Sequence, residues 1–247
     1  MKAKLPLLFF LLIALNSCKS SFEITNKEVS QYKFTDTSFT EVDSTLYKEI
    51  TPFREKMKDK MSEVLIVSTT TLERGNPESR LGNFMADACL IATQMHNKQA
   101  DFAVFNSGGL RKGMPLGEIT RGDIFELMPF ENEIVILTMT GSEVKKLVNF
   151  IALKGGAPVS GLRMRIQDSI ATNVLIGNAA FDSTRTYRVL TSDYLANGGD
   201  SFPLMTSSPW DTIPLKVRDA IIEYLAELNK QKKKLTVELD GRIINGR

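Results

Sequence analysis

The chain predicts an α+β fold, with mixed sheets covered by helices. Its apolar runs are short, four to seven residues, and read as strands. Amphipathic segments with three- and four-residue spacing stand between them and read as helices. Neighbouring strands are separated by hairpin-like turns rather than by strict strand–helix–strand units, which argues against a doubly wound parallel sheet. At 247 residues the chain is long enough to bury a substantial core, as one large domain or two small halves.

The first 43 residues stand apart from that pattern. Lys2 and Lys4 precede the apolar run Leu5 to Leu15, and Asn16-Ser17-Cys18 follow. A basic start and an apolar stretch too short to span a bilayer describe a secretory signal. Leu15-Asn16-Ser17-Cys18 resembles a bacterial lipobox, with Asn16 departing from the pattern; an ordinary signal with a chance cysteine also fits. The expectation is a signal peptide over 1–17, a lipid on Cys18, an anchor and tether over 18–43, and a folded domain over 44–247. The tether is rich in Ser, Thr, Lys and Asp, with one extended segment around Tyr32 to Phe34. The chain would then be exported and held at a bacterial cell membrane by its lipid, on the periplasmic or surface side.

Composition narrows the chemistry. Removing residues 1–17 takes Lys2 and Lys4 away and brings the formal net charge from +2 to zero. A nucleic-acid groove needs a basic excess, so none is expected. With Cys18 lipidated only Cys89 remains, which excludes an internal disulfide; its neighbours Phe84, Ala88 and Leu90 mark it as a small buried apolar residue. The single histidine, His96, lies at the polar end of a helix, where a surface position is expected. Zinc and two-metal hydrolase sites draw on several His, Asp and Glu ligands, so no metal site is expected within this chain.

From Leu46 the apolar residues Leu46, Ile50, Phe53, Met57, Met61 and Val64 follow helical spacing, and Pro52 predicts a kink or restart. Val64 to Val67 and Thr69 to Thr71 read as a strand, and Leu72 to Pro77 as a loop. Glu78-Ser-Arg-Leu-Gly-Asn83 opens a helix that runs to Met95. Phe102 to Phe105 is a strand, Gly117 to Thr120 a short extended piece, and Ile124 to Met128 a helical turn stopped by Pro129. Glu133 to Met139 is a strong strand. Thr140-Gly-Ser-Glu143 is a capping box for the helix Val144 to Leu153, which Gly155-Gly156 ends. Val159 to Ile166, Asn173 to Ile176 and Tyr187 to Thr191 read as strands. A Pro-containing loop leads to the amphipathic helix Val217 to Leu228, the solvated basic run Lys230 to Lys234, and a last strand within Asp240 to Asn245.

The stretch Asn106-Ser-Gly-Gly-Leu-Arg111 carries the strongest local signal. Its glycines permit positive φ and close approach to backbone N–H groups, and Arg111 adds a planar charged fork suited to carboxylate or phosphate. Locally it fits two readings, a turn with a solvated arginine and a cradle for an anion or polar ligand.

Four stretches in order resemble the C-terminal domain of the bacterial and animal 5′-nucleotidase family. They are Glu78 to Asn83 with Ala86-Asp87-Ala88; Asn106 to Arg111; Gly117-Glu-Ile-Thr120 through Met128-Pro-Phe-Glu-Asn132; and Asp193-Tyr-Leu-Ala-Asn-Gly-Gly-Asp200. With the helix from Leu46, the resemblance covers roughly residues 45 to 228. In that family the domain binds the nucleoside and phosphate of a nucleotide, while a separate metallophosphatase domain holds two metals and performs hydrolysis.

The resemblance implies roles residue by residue. Asn106 and Arg111 match the family's amide and arginine. An upstream arginine falls on Arg74 with a one-residue offset, and Arg80 is the alternative. The two rings that clamp the base fall on Phe130 and on Tyr194, where the family usually has phenylalanine. Asn132 matches an amide that reads the base edge, Gly161 a glycine under the ring, and Asp200 the carboxylate that holds the ribose hydroxyls. Stacking, a carboxylate for vicinal hydroxyls and arginine for phosphate suit those roles physically.

No Asp-x-His or Gly-Asn-His-Asp/Glu motif of the metal-binding half is present. The implied arrangement is a substrate-binding chain without cofactors of its own, completed by a separate metallophosphatase chain with two divalent metals. A surface protein that captures nucleosides or nucleotides without catalysis is the other reading.

Overall fold

Residues 27–30, 44–202 and 210–246 are described by a computed structural model. The signal segment 1–17, Cys18, the Tyr32–Phe34 segment and most of the tether lie outside the described residues. The chain divides into two units, Met1–Glu49 and Ile50–Arg247. Residues 27–30 have no regular structure, and helix α1 spans Ser44–Met61. The restart predicted at Pro52 does not occur. Helix formers on both sides, including Glu55, Lys56, Met57 and Lys58, keep the helix continuous despite the hydrogen bond that proline forfeits.

In the second unit the order is β1 (Val64–Ser68), α2 (Arg80–Met95), β2 (Phe102–Val104), β3 (Gly117–Thr120), α3 (Arg121–Leu127), β4 (Glu133–Thr140) and α4 (Gly141–Leu153). Then come β5 (Val159–Ser160), β6 (Leu162–Gln167), β7 (Ile170–Ile176), β8 (Ala179–Ala180), β9 (Thr186–Ser192), α5 (Asp193–Ala196), β10 (Trp210–Lys216), α6 (Val217–Lys230) and β11 (Ile243–Asn245). Thr69 to Thr71 do not extend β1, because the Thr69 N–H leaves the strand to donate to the Leu235 carbonyl at 2.9 Å. The segment read as a Pro-containing loop before α6 holds β10, an edge strand; Pro214 is tolerated there because the open edge needs no donor from it.

The central sheet has the order β10-β4-β9-β2-β5, with β2 and β9 parallel and the other pairs antiparallel. β2 and most of β4 are buried on both faces, which is why they read as near-continuous apolar runs, whereas the edge strand β10 is mostly exposed. Along β4, Ile134 and Ile136 enter one core with α2 and α6. Val135, Leu137 and Met139 enter a second core with α4 and the sheet β11-β6-β7-β8. A two-stranded sheet pairs β1 with β3. The mixed, helix-covered α+β architecture is the one the sequence predicted.

Gly161 interrupts what the alternation presented as one strand. At φ +74° it lets the chain pass from β5 in the central sheet to β6 in the second sheet, and a Cβ there would stand 2.8 Å from the Asp101 carbonyl oxygen. The stretch Glu78 to Ala88 braces the C-terminal segment. Glu78 accepts from the Asp240 and Gly241 N–H groups, Arg80 Nε donates to the Val237 carbonyl, and Asp87 takes a bidentate contact from the buried Arg242.

Candidate functional site

Because β2 and β9 run parallel and β4 and β10 alternate with them, one end of the central sheet collects four chain positions. These are the segments after β2 and β9, the residues before β4, and the start of α6. The candidate site is built on that end, as ligand sites commonly are where strands of an α/β sheet terminate.

After β2, Asn106 leads into a single 3₁₀ turn, Ser107–Gly109. A Cβ on Gly109 would press on Asn106 Oδ1 at 3.2 Å, so this turn stays bare and brings backbone to the surface. Arg111 is exposed; its N–H is tied to the Leu127 carbonyl and its Cζ stands 5.9 Å from the centre of the Phe130 ring.

Pro129 follows the end of α3 and turns Phe130 outward, leaving it 41% exposed. The loop is held from below. Arg218, 6% exposed, donates from Nη1 to the Met128 and Phe130 carbonyls, pairs with Glu131, and lies over the Phe125 ring at 4.1 Å. The Val217 N–H donates to the Asn132 carbonyl at 2.9 Å, which fixes the residue at the mouth of β4. Lys216 also pairs with Glu131, and the two cations hold the Glu131 carboxyl down at about 2.

After β9, Ser192 caps α5 by accepting from the Leu195 N–H, and Tyr194 projects from the first turn, 44% exposed. Gly199 passes under its ring: a Cβ there would lie 2.4 Å from Tyr194 Cε1. The Tyr194 hydroxyl donates to Asp200 Oδ1 at 2.8 Å, and that bond raises the phenol above its ordinary pKa. Asn106 Nδ2 donates to Asp200 Oδ2 at 2.6 Å. Asp200 sits in left-handed backbone at φ 52°, a conformation aspartate tolerates better than most residues.

These groups surround a cavity of about 250 Å³ with Asn106, Arg111, Phe130, Asn132, Tyr194 and Asp200 on its walls. Met128, from the Met128-Pro-Phe-Glu-Asn132 stretch, adds apolar lining together with Met85 and Val217, which no motif had singled out. Asn106, Gly108 and Asp200 also face an adjoining depression of about 400 Å³, which Lys154 and Gly156 help to line. Six of the eight residues picked from sequence therefore share one cavity. Arg74 and Gly161 are not in its lining: Arg74 lies exposed in the loop before α2, and Gly161 serves the crossing between sheets. The alternative to Arg74, Arg80, is occupied with Val237 and Glu238. Arg218 was missed as well, since it carries no motif and follows an edge strand that read as a loop.

The walls can stack a flat ring, accept hydroxyl protons at a carboxylate, and meet an anion with one guanidinium. His96 stands elsewhere at the surface, 2.7 Å from Glu223. Among the described residues no three His, Cys, Asp or Glu side chains are grouped to hold a metal ion.

The family model described as "5′-nucleotidase, C-terminal domain" matches residues 60–207. The chain belongs to this family. The 5′-nucleotidase of Vibrio parahaemolyticus is 31% identical over 185 residues, covering 73% of this chain and 33% of the relative. That of Vibrio cholerae is 32% identical over 178 residues, covering 70% and 32%. The crystal structure of a 5′-nucleotidase precursor from Thermus thermophilus superposes with a TM-score of 0.69 at 27% identity, covering 81% of this chain and 43% of that one. This 5′-nucleotidase C-terminal domain chain thus spans about a third of the length of the curated relatives it matches.

Proposed function

We propose that the chain is the nucleotide- or nucleoside-binding chain of a 5′-nucleotidase system, acting in extracytoplasmic nucleotide catabolism from a lipid anchor at Cys18. Phe130 and Tyr194 stack the base, Asn132 reads its edge, Asp200 holds the ribose hydroxyls, and Arg111 with Asn106 meets the phosphate. Hydrolysis is supplied by a second polypeptide, a metallophosphatase that holds two divalent metals and works on the ester this chain positions. The observation that carries this reading is the convergence of six residues, from three separated stretches of sequence, on one cavity of nucleoside-binding chemistry.

Calorimetry with adenosine and AMP tests the binding half of the proposal, and saturable binding without metal is expected. Absence of binding to both sinks it. The catalytic half is tested by adding the purified chain to a single-domain metallophosphatase and following AMP hydrolysis. A higher rate or altered selectivity is expected; if neither changes, the partner is dropped and a non-catalytic capture protein remains.

A further inference from the structure

Tyr194 does more in this geometry than offer a ring. Its hydroxyl donates to Asp200 Oδ1, and Asn106 Nδ2 donates to Oδ2, so each carboxylate oxygen already carries one protein donor. The Asp200 N–H returns to the Tyr194 oxygen at 3.2 Å, closing a small ring of hydrogen bonds between the two residues. Gly199, which has no room for a side chain beneath the tyrosine, keeps that ring tight. A phenylalanine in place of Tyr194 would stack equally well and leave Oδ1 without its internal donor.

We propose that Tyr194 is a specificity-determining residue whose hydroxyl, together with Asn106, fixes the Asp200 carboxylate for a vicinal cis-diol. An ionised carboxylate offers about four acceptor positions. Two are filled from the protein, one on each oxygen, which leaves one on each for the ligand. That remainder matches two adjacent hydroxyls and is half used by a single one. The ligand class selected is the ribonucleoside, with the 2′- and 3′-deoxynucleosides disfavoured. Preorganisation matters because Asp200 stands on a short exposed turn, where an untethered carboxylate would lose rotamer entropy on each binding event.

This inference rests on the proposed nucleoside pocket, and its test separates the two. Affinities of wild type, Tyr194→Phe, Asp200→Asn and the double variant are measured by calorimetry for adenosine, 2′-deoxyadenosine, 3′-deoxyadenosine and adenine. In wild type adenosine is expected to bind roughly tenfold more tightly than either deoxynucleoside, the scale of one hydrogen bond to a charged group. Tyr194→Phe should cut that preference by about threefold or more while leaving adenine affinity within about twofold. In the Asp200→Asn background the same change should have no further effect on the preference, as coupled residues require. An unchanged ribose preference in Tyr194→Phe, or an equal loss for adenine and adenosine, overturns the role of the hydroxyl and leaves the pocket standing. No adenosine binding by wild type overturns both.

Discussion

The guanidinium of Arg218 donates to the backbone carbonyl of Phe130 at 3.4 Å from the first turn of α6, while Phe130 itself points to solvent. A buried charge thus sets the direction of an exposed ring. The same Nη1 reaches the Met128 carbonyl, and the plane of Arg218 rests on Phe125. The exposed wall of the pocket is held through its backbone from below, while Arg111 stands over the ring itself.

Arg218→Met tests this relationship, because it keeps much of the volume and loses the donors. Two carbonyls would lose their donor and Glu131 would keep only Lys216, at a cost of about 2–3 kcal/mol. Adenosine affinity is expected to fall about fivefold or more, since Phe130 would sample positions outside the stacking geometry. Urea denaturation and calorimetry on the same preparation check both. A variant with lower stability and unaltered affinity would show that the loop holds its place without Arg218.

Glu131 ties the same loop to Lys216 and Arg218, and its pKa gives the pH dependence. Its carboxyl lies at about 2 in the fold against an ordinary 4.5, held down first by Lys216 and then by Arg218. A depressed carboxyl contributes stability that is present above the unfolded value and lost as pH falls through the folded one. The wild type should therefore melt at a higher temperature than Glu131→Gln by a constant margin above about pH 5. The gap should narrow between pH 4.5 and about 2. Because Glu131 is exposed the margin should also shrink in high salt. A gap that persists unchanged at pH 2.5 would contradict the assignment.

Much of this architecture is legible in sequence, for reasons visible in particular residues. β4 and α4 are strongly periodic and joined by Thr140 and Glu143, whose side chains and N–H groups satisfy one another in the structure. The capping box Thr120–Asp123 lay unread in Thr120-Arg-Gly-Asp123, where the short helix hid it. β10 was lost because Pro214 marks a loop as readily as an edge strand. Gly161 stands outside the cavity lining at the bend between two sheets, and a glycine between alternating residues marks such a bend as readily as an approach to a ligand. All six of the expected residues that line the pocket, Asn106, Arg111, Phe130, Asn132, Tyr194 and Asp200, lie in the ordered motifs. Arg218 and the Tyr194–Asp200 bond depend on contacts between separate turns, which no local pattern encodes.

The aromatic pair gives a direct measure of stacking. Phe130 and Tyr194 are both more than two-fifths exposed, so truncating either should leave fold stability nearly unchanged. Each of Phe130→Ala and Tyr194→Ala is expected to weaken adenosine binding by about 1–3 kcal/mol. Calorimetry and thermal melts together read the contrast. Full affinity in both variants would remove the aromatic clamp from the proposal.

Two glycines should separate structure from site. At Gly161 the backbone lies at φ +74° and a methyl group would press on the Asp101 carbonyl, which neither sheet can move aside cheaply. Gly161→Ala should cost about 1–3 kcal/mol of stability while leaving adenosine affinity per folded molecule intact. At Gly199 the added methyl would meet the Tyr194 ring at 2.4 Å, and that ring stands at the free end of an exposed side chain. Gly199→Ala should therefore spare stability, displace the ring, break its hydrogen bond to Asp200, and lower adenosine affinity about as much as Tyr194→Ala. Denaturation curves paired with binding isotherms distinguish the two patterns. Loss of affinity in folded Gly161→Ala would return that residue to the pocket, and an unaffected Gly199→Ala would mean that Tyr194 binds without the geometry described above.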